Sequence, residues 1–289
     1  MKRVIHTGTK EKNSKPAKVL TKHNSSQKPI ASEWYYAIKI LAIIFMVTDH
    51  TFKAVSFGCS DETLLMMRMI GRMAFPLFAW ELVECFHFTR NRGKHLLNIG
   101  MLALISEIPY DKALKSGFFD WNWQNVCFTF LLSWLMLMLL HANWQKAYTQ
   151  LGLKESAFKK TAVKLSGVAM AAPIMWLAGK LHVDYIFWGV GLVLLFEFAH
   201  SRKHRKLWEF LAISAYVGIM GSTPEMKLVY LPCFFCLIFM YLAECDAMKP
   251  QRKNAVISKL LLSNQSKQIC RFFYPAHLVI LAILRGVMN

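Results

Sequence analysis

Long stretches of mostly apolar residues dominate this sequence and restrict the folds open to it. A helix rises about 1.5 Å per residue, so it needs about 20 apolar residues to cross the hydrocarbon core of a bilayer. The stretches cover residues 36–57, 70–88, 95–114, 125–142, 164–180, 183–200, 206–221, 227–245 and 271–288. We therefore predict an all-α protein, a polytopic integral membrane bundle of about nine transmembrane helices, with roughly eight to ten compatible with the pattern.

The basic residues are concentrated between the apolar stretches, and the formal net charge is +18. If the N-terminus is cytoplasmic, the connections on that side carry 26 of the 35 lysines and arginines. With Arg68 counted at the start of the second stretch, the opposite side carries Lys112, Lys115, Lys180 and Lys227. An excess of this kind is typical of cytoplasmic loops in membrane proteins. We therefore predict a multi-pass protein with a cytoplasmic N-terminus and an outside C-terminus, and we expect no nucleic acid among its partners.

The chain divides into two regions. Residues 1–33 are polar and basic, and they contain neither the apolar core nor the cleavage site of a signal peptide. We predict a disordered basic cytoplasmic tail, which could lie on anionic lipid headgroups. Residues 34–289 hold every apolar stretch and are predicted to form one transmembrane domain in contact with membrane lipids.

Cysteines and short motifs give little sign of a metal or redox centre. The chain has seven cysteines, almost all within apolar stretches. Cys233 and Cys236 form a CxxC pair without a second pair nearby, which favours packing over metal binding or redox chemistry. The sequence contains no HEXXH-type zinc signature and no Gly-rich phosphate loop. We therefore predict no metal site.

Ionisable and polar side chains interrupt several apolar stretches, at a cost of roughly 2.5–3.5 kcal/mol for each charge at the centre of a membrane. The rise per residue brings His50, Arg72 and Glu107 to similar heights in the outer half of the membrane. Asn125 and Asp184 enter from the outer side. If these helices adjoin, their side chains form one polar cluster.

Several of these residues also have a purely structural explanation. Asp49 and Lys53 are spaced i, i+4 and could neutralise each other. His50 lies about 100° around the helix from Asp49, so it needs a partner from another helix, or it is a neutral histidine bonded to a carbonyl. Arg68 and Arg72 share a helix face and therefore need carboxylates or an anionic ligand.

Three further residues of the second stretch are predicted to have mainly structural roles. Pro76 lacks the N–H that would reach the carbonyl of Arg72, so we expect a bend and a free acceptor there. Glu81 and Glu84 are expected to pair with basic residues at the inner rim.

The apolar stretches also match a known family. The segment IKILAIIFMVTDH at 38–50, followed by RMIGRMAFPLF at 68–78, resembles the TraX family of conjugal-transfer membrane proteins. The Asp-His pair combined with GRMAFPLF is the specific part of the match. Weaker matches follow in the family's order at 89–94, 104–111, 125–131, 184–195 and 272–278, so the resemblance covers most of residues 36–289.

The resemblance implies a membrane acetyltransferase of the bacterial cytoplasmic membrane, with residues 34–289 as an acyltransferase-like domain. TraX proteins N-acetylate pilin, and the family is similar to membrane acyltransferases that use an intramembrane histidine and cytoplasmic acyl-CoA. Carried over by position, His50 is that histidine. The acceptor, whether peptide, glycan or lipid, stays open.

Acyl transfer requires a base to deprotonate the acceptor and positive charge to stabilise the tetrahedral intermediate. Histidine suits the first role near neutral pH, and arginine suits the second. The predicted catalytic residues are His50, Asp49, Arg72 and Glu107. The predicted co-substrate is acetyl-CoA or another acyl-CoA. The phosphate groups of CoA bind well to arginine and lysine side chains. The predicted acyl-CoA-binding residues are Arg68, Arg90, Arg92, Lys94, Asn125 and Asp184.

Two other classes of function fit the same residues. Intramembrane charges also mark transport pathways, so a membrane transporter or lipid flippase is the main alternative. The sequence lacks the paired halves with interrupted helices that many transporters have. A third alternative is a non-enzymatic assembly or sensor protein.

Overall fold

The computed structural model of the protein describes residues 33–55, 58–115, 117, 120, 122–150, 165–248 and 264–288. Within these ranges all regular secondary structure is helical, apart from one isolated β-bridge between Gln124 and Val183. The prediction of an all-α protein is confirmed for this part of the chain. The predicted tail, residues 1–33, lies outside the described residues except for Glu33, the first residue of α1.

The apolar stretches coincide with helices to within a few residues. In chain order the structure has α1 (Glu33–Ala54), α2 (Asp61–Gly71), α3 (Ala74–Phe88), α4 (Arg92–Leu114), α5 (Val126–Leu140), α6 (Trp144–Gln150), α7 (Ala171–Lys180), α8 (Ile186–His200), α9 (Arg205–Met220), α10 (Pro224–Tyr230), a 3-10 helix (Leu231–Phe235), α11 (Cys236–Met248) and α12 (Asn264–Met288). The helical residues before α7 extend its apolar segment to Leu165–Lys180.

One segment among the described residues, Pro224–Cys245, is long and apolar enough to span a bilayer by length and composition alone, with a mean hydropathy of 2.0. The shorter apolar helices are Val126–Leu140, Leu165–Lys180, Ile186–His200 and Phe272–Met288. This pattern is compatible with a membrane location. A polytopic arrangement stays a prediction.

Helix α4 presents an apolar stripe to the outside of the bundle. Its exposed residues follow helical spacing, with Leu97 65% and Leu104 63% exposed, and Met101, Ile105 and Ile108 on the same side. A soluble monomer rarely leaves so many large apolar side chains together in water. The stripe therefore suits contact with lipid or with another apolar surface.

Helix α3 is the central element. It packs against α1, α5, α8 and α11, and it is buried on all sides for most of its length. Its two glutamates are both paired, as predicted. Lys39 Nζ lies 2.6 Å from Glu81 Oε1, and Arg205 Nη2 lies 2.5 Å from Glu84 Oε1. These pairs allow an otherwise apolar helix to carry two buried carboxylates.

Arg72 and Met73 form a turn that interrupts the helix between α2 and α3, and we call this turn the break. Pro76 cannot donate to the Arg72 carbonyl, and the thiol of Cys233 donates there instead, with Sγ 3.4 Å from the oxygen. The thiol of Cys236 lies 3.4 Å from the Met73 carbonyl oxygen. The CxxC pair thus consists of two free thiols that satisfy backbone acceptors at the break.

Because of this break, Arg68 is not on the helix where it was predicted. Arg68 was expected to open the second apolar stretch, but it lies in a separate helix, α2, which begins after the N-cap Ser60. The Arg68 side chain is exposed, whereas Arg72 in the turn is half-buried.

Candidate functional site

A cavity of about 270 Å³ lies between α1, α3, α4, α5 and α12. Four of the predicted site residues line it together, namely Asp49, His50, Arg72 and Asp184. Its volume is slightly below the roughly 300–1,000 Å³ found for ligand sites. The convergence expected from helix depth is therefore present for these four residues.

The cavity extends along one face of α1. Its lining on that helix runs from Lys39 to Lys53, through Ile43, Met46 and His50. Lys53 follows Lys39 by 14 positions, which correspond to about 21 Å along the helix. The cavity is thus long and narrow, with a lysine at each end and the histidine between them.

His50 has a histidine partner from the other end of the chain. His50 Nδ1 lies 2.9 Å from His277 Nε2 on α12, and the two rings are nearly parallel. His277 Nδ1 lies 3.1 Å from the Phe273 carbonyl oxygen. Because a carbonyl only accepts, we assign the proton of neutral His277 to Nδ1. His277 Nε2 then accepts from His50 Nδ1–H, and the lone pair of His50 is on Nε2.

His277 was not among the site residues predicted from the sequence. The signal was present, because this histidine interrupts the last apolar stretch, 271–288. Its distance in sequence from His50, 227 residues, concealed the contact. The expectation that His50 needs a partner from another helix is confirmed.

The charged residues around His50 are two cations and two carboxylates. The Arg72 guanidinium has Tyr185 and Asp49 in electrostatic range, and its Nη1 lies 3.4 Å from the Tyr185 hydroxyl. Lys53 interacts electrostatically with Asp184 as well as with Asp49. Asp49 and Lys53 are therefore part of a larger group and do not form an isolated pair along α1.

Asp49 is also a close packing contact between α1 and α2. A Cβ added at Gly71 would lie 2.3 Å from the Asp49 Cβ, far inside van der Waals contact. Only glycine at this position lets the two helices approach so closely. This contact brings Arg72, the next residue along the chain, to the edge of the cavity.

Asp184 and Tyr185 reach the cavity on a strained turn. His182, Tyr185 and Ile186 have φ values of 46°, 63° and 49°. Non-glycine residues rarely adopt this region, and Ile186 is β-branched, so the turn needs support from its surroundings. Gln124 supplies two backbone hydrogen bonds, to the His182 oxygen at 3.1 Å and from the Asp184 nitrogen at 3.0 Å. Such supported strain is typical of functional sites.

Thr129 and Phe75 hold the same turn from the inside. The Thr129 hydroxyl donates to the Asp184 carbonyl, and the Tyr185 ring stacks on Phe75 with centroids 3.9 Å apart. The positions of Asp184 and Tyr185 are therefore fixed by α3 and α5.

Two polar atoms at the cavity lack partners. Arg72 Nε and the Tyr274 hydroxyl are buried and make no hydrogen bond within the described part of the chain. Both residues line the cavity. Buried donors are normally satisfied, so these two are available to an acceptor on a bound molecule.

Glu107 and Asn125 bond to each other and do not line the cavity. Asn125 Nδ2 donates to Glu107 Oε2 at 2.5 Å and to the Ala103 oxygen at 2.9 Å. Asn125 Oδ1 accepts from the Cys127 nitrogen at 2.9 Å, so it caps α5. The pair connects α4 to the start of α5 and lies behind the lining residues Tyr110 and Cys127.

The other predicted basic residues also lie away from the cavity lining. Arg90 and Lys94 are exposed at the connection between α3 and α4, and the Arg92 guanidinium lies 4.0 Å from the centre of the Phe86 ring. The residues from Arg72 to Arg90 correspond to about 27 Å of helix, so this basic group is at the opposite end of the bundle.

A second polar network surrounds Arg205 at that opposite end. Its guanidinium contacts Glu84 at 2.5 Å, and Glu209 and Glu244 at 2.8 Å each. Glu209 also accepts from Trp80 Nε1 at 3.0 Å. Of these carboxylates only Glu84 was predicted to pair with a basic residue. Glu209 is spaced i, i+4 from Arg205 on α9, so this pair was readable from the sequence, whereas Glu244 comes from α11 and no local pattern reveals its proximity.

Comparison with known proteins identifies relatives of the chain. The sequence model described as "TraX protein" matches residues 35–285. The "Probable fimbrial assembly protein FimC, serogroup H1" of Dichelobacter nodosus is 32% identical over 113 residues, which cover 36% of this chain and 45% of that protein. The chain thus matches less than half the length of this relative. No solved structure matches the chain significantly.

The family match covers α1 to α12 almost completely, including every helix that lines the cavity. It confirms the resemblance seen in the sequence. The chain belongs to the TraX family.

Proposed function

We propose that the protein is a membrane-embedded acyltransferase that moves an acyl group, acetyl in the first instance, from cytoplasmic acyl-CoA to an amine or hydroxyl acceptor at the outer face. The observation that carries the proposal is the hydrogen-bonded pair of His50 and His277 beside a cavity with unpaired donors. A general base, an orienting partner and a set of donors are the parts that acyl transfer requires.

In the proposed reaction, His50 Nε2 takes the proton of the acceptor while the acceptor nitrogen or oxygen attacks the thioester carbonyl carbon. A tetrahedral intermediate forms, and its oxyanion is stabilised by Arg72 and the Tyr274 hydroxyl. The intermediate collapses with cleavage of the C–S bond. The imidazolium of His50 returns the proton to the sulfur, so the products are the acylated acceptor and CoA. No covalent enzyme intermediate is required.

His277 is a positioning residue in this scheme. Its bond to the Phe273 carbonyl fixes its own tautomer, and that tautomer fixes the tautomer of His50. The role corresponds to that of the aspartate in a catalytic triad, which holds the histidine with its basic nitrogen toward the reacting groups.

The length of the cavity supports a donor that enters from the cytoplasmic end. The lining along α1 from Lys39 to Lys53 would admit an extended pantetheine arm, with the thioester near His50. A volume of about 270 Å³ suits the acyl group and part of the arm, while the nucleotide would stay outside. Arg90, Arg92 and Lys94 would bind its phosphates at the inner surface. Asp49 and Asp184 would hold Lys53 and Arg72 in place.

Membrane insertion is part of the proposal. The apolar stripe on α4, the segment Pro224–Cys245 and the distribution of basic residues support it. We propose the bacterial cytoplasmic membrane, with the N-terminus cytoplasmic. A relative named as a fimbrial assembly protein supports an acceptor that belongs to a surface filament.

A transporter or flippase is the second candidate. One observation favours it, because the break at Arg72 and Met73 lies against the 3-10 helix Leu231–Phe235 through Cys233. Two interrupted helices that meet beside buried charges are typical of transport sites. Movement of a labelled lipid or amine across proteoliposomes, without consumption of acyl-CoA, would support this candidate.

The test uses the full-length protein in lipid nanodiscs. Calorimetry measures acetyl-CoA binding, and a thiol assay measures CoA release after addition of outer-membrane and periplasmic extract as the acceptor source. We expect His50→Ala to bind acetyl-CoA with unchanged affinity and to release CoA at least about 100-fold more slowly. His204→Ala, at an exposed histidine before α9, is the matched control and should behave as wild type. Equal CoA release by folded His50→Ala and wild type would rule out the proposed base.

A further inference from the structure

Two histidines and a glutamate converge outside the cavity lining, at the end of the bundle opposite Arg72. His87 is in the last turn of α3, His141 is the C-cap of α5, and Glu197 is near the end of α8. His87 Nε2 lies 3.0 Å from Glu197 Oε2, and His141 Nε2 lies 2.8 Å from Glu197 Oε1. One ligand atom from each residue lies within 4.8 Å of the others.

From this arrangement, we propose that the protein binds one divalent transition-metal ion, of which zinc is the best match, between His87, His141 and Glu197. Two imidazoles and one carboxylate are a common ligand set for zinc and other first-row metals. Metal bonds of about 2.0–2.1 Å in a tetrahedron place neighbouring ligand atoms about 3.3 Å apart. Taking Glu197 Oε1 as the carboxylate ligand atom, His87 Nε2 is 3.2 Å away and His141 Nε2 is 2.8 Å away. All three ligand atoms lie within 4.8 Å of one another, so side-chain adjustments bring them to the separations that the ion needs.

The exposure of the three side chains suits a site with one open position. Glu197 is 9% exposed, His87 24% and His141 35%. The carboxylate thus forms the inner wall, and His141 forms the side that faces solvent. Three protein ligands and an open side leave a fourth position for water or an exchangeable anion.

The surroundings hold the ligands in this arrangement. The His200 ring stacks on His87 with centroids 4.1 Å apart and an angle of 6°. His200 Nδ1 bonds to Glu84 Oε1 at 3.0 Å, and Arg205 Nη1 lies 3.2 Å from the same nitrogen. The positive charge of Arg205 is balanced by its three carboxylate partners, so the ion would not face an uncompensated cation.

The sequence predicted no metal site, because the ligands are far apart in the chain. His87 and Glu197 are 110 residues apart, and His141 and Glu197 are 56 apart. No short motif can connect such residues, and only the packing of α3, α5 and α8 brings them together. A bound ion would join the ends of these three helices, so it would stabilise the bundle independently of acyl transfer.

The test uses metal-stripped full-length protein in nanodiscs, which is titrated with Co²⁺. The visible absorption of Co²⁺ reports its coordination by nitrogen and oxygen. Zn²⁺ is then added to displace the bound Co²⁺. We expect one Co²⁺ per chain, displaced by Zn²⁺. Glu197→Gln should bind Co²⁺ at least about 100-fold more weakly than wild type, and so should His141→Ala, which alters the ligand that faces solvent. His204→Ala is the control and should bind as wild type.

Thermal unfolding provides a second measurement that does not depend on activity. Zn²⁺ should raise the Tm of wild type and His204→Ala, because a ligand that binds only the folded state stabilises it. It should leave the Tm of Glu197→Gln unchanged. Equal Co²⁺ binding by wild type and both ligand variants, or no binding by folded wild type, would overturn the proposal. In the second case the histidines are simply hydrogen-bonded to Glu197.

Discussion

His50 Nδ1 and His277 Nε2 are 2.9 Å apart, although 227 residues separate them in the chain. The contact joins the first described helix to the last, α1 to α12. His50 lines the cavity and His277 does not, so the second histidine can act on a bound molecule only through the first. This arrangement separates the proposed base from the residue that orients it.

We predict that His277→Ala lowers kcat for CoA release by about 100-fold and leaves KM for acetyl-CoA nearly unchanged, because the tautomer of His50 is no longer fixed. His277→Asn retains an oxygen that can accept from His50 Nδ1–H and should recover part of the loss. Steady-state kinetics on the two variants provide the test. A normal kcat in folded His277→Ala would contradict the positioning role.

Tyr274→Phe should lower activity without lowering stability. The hydroxyl it removes has no hydrogen-bond partner among the described residues, so the Tm should stay unchanged or rise slightly. If the hydroxyl donates to the oxyanion, kcat should fall by about 10-fold or more. Tyr216→Phe is a matched control, because its hydroxyl is equally buried and unpaired but does not line this cavity. A similar loss of activity in both variants would argue against a specific role of Tyr274.

Gly71→Ala should disrupt the approach of α1 to α2. The new methyl group would lie 2.3 Å from the Asp49 Cβ, so one helix must move, at a cost of about 1–3 kcal/mol in the free energy of unfolding. Arg72 should shift with α2, and acetyl-CoA binding should weaken. Thermal unfolding and calorimetry measure the two effects.

The control for this variant is Gly218→Ala on α9, where a Cβ meets no heavy atom of the described residues within 4 Å. Alanine is the better helix former, so this variant should be as stable as wild type or slightly more stable. Unchanged stability and binding in Gly71→Ala would show that α1 and α2 are not held as closely as described.

Arg205→Met should be strongly destabilising. The substitution leaves Glu84, Glu209 and Glu244 without their shared cation, and removing one partner from a buried ion pair costs about 3–5 kcal/mol. Arg202→Met removes an exposed arginine, which lies over the Trp208 ring, and should have a small effect. A fluorescence thermal-shift comparison of the two variants tests the difference. Equal midpoints would mean that the carboxylates are accommodated without Arg205.

Helix positions followed from the apolar stretches, and the relative heights of residues along the helices followed from the constant rise per residue. Asp49, His50, Arg72 and Asp184 were therefore placed correctly near one another. Helix rotation and helix neighbours were not predictable in the same way. Glu107 and Asn125 were expected in the same cluster, but they bond to each other and do not line the cavity.

Contacts between distant segments were also hidden from sequence reasoning. His277, Glu197 and Glu244 are polar residues within apolar stretches, and each has a partner from a different helix. A lone polar residue signals that a partner exists, but hydropathy contains no information on which helix supplies it. The break at Arg72 was signalled by Pro76, whereas the thiols that satisfy it were not.

The lining of α1 from Lys39 to Lys53 has a consequence for energetics. In the proposed reaction, the pantetheine arm would bring the acyl group along this lining to His50, while the nucleotide of CoA would stay at the cytoplasmic end. The free energy of the thioester would then drive a vectorial reaction, without an ion gradient and without two halves of the protein exchanging their orientation. A lining about 21 Å long on a single helix face would be sufficient for such chemistry.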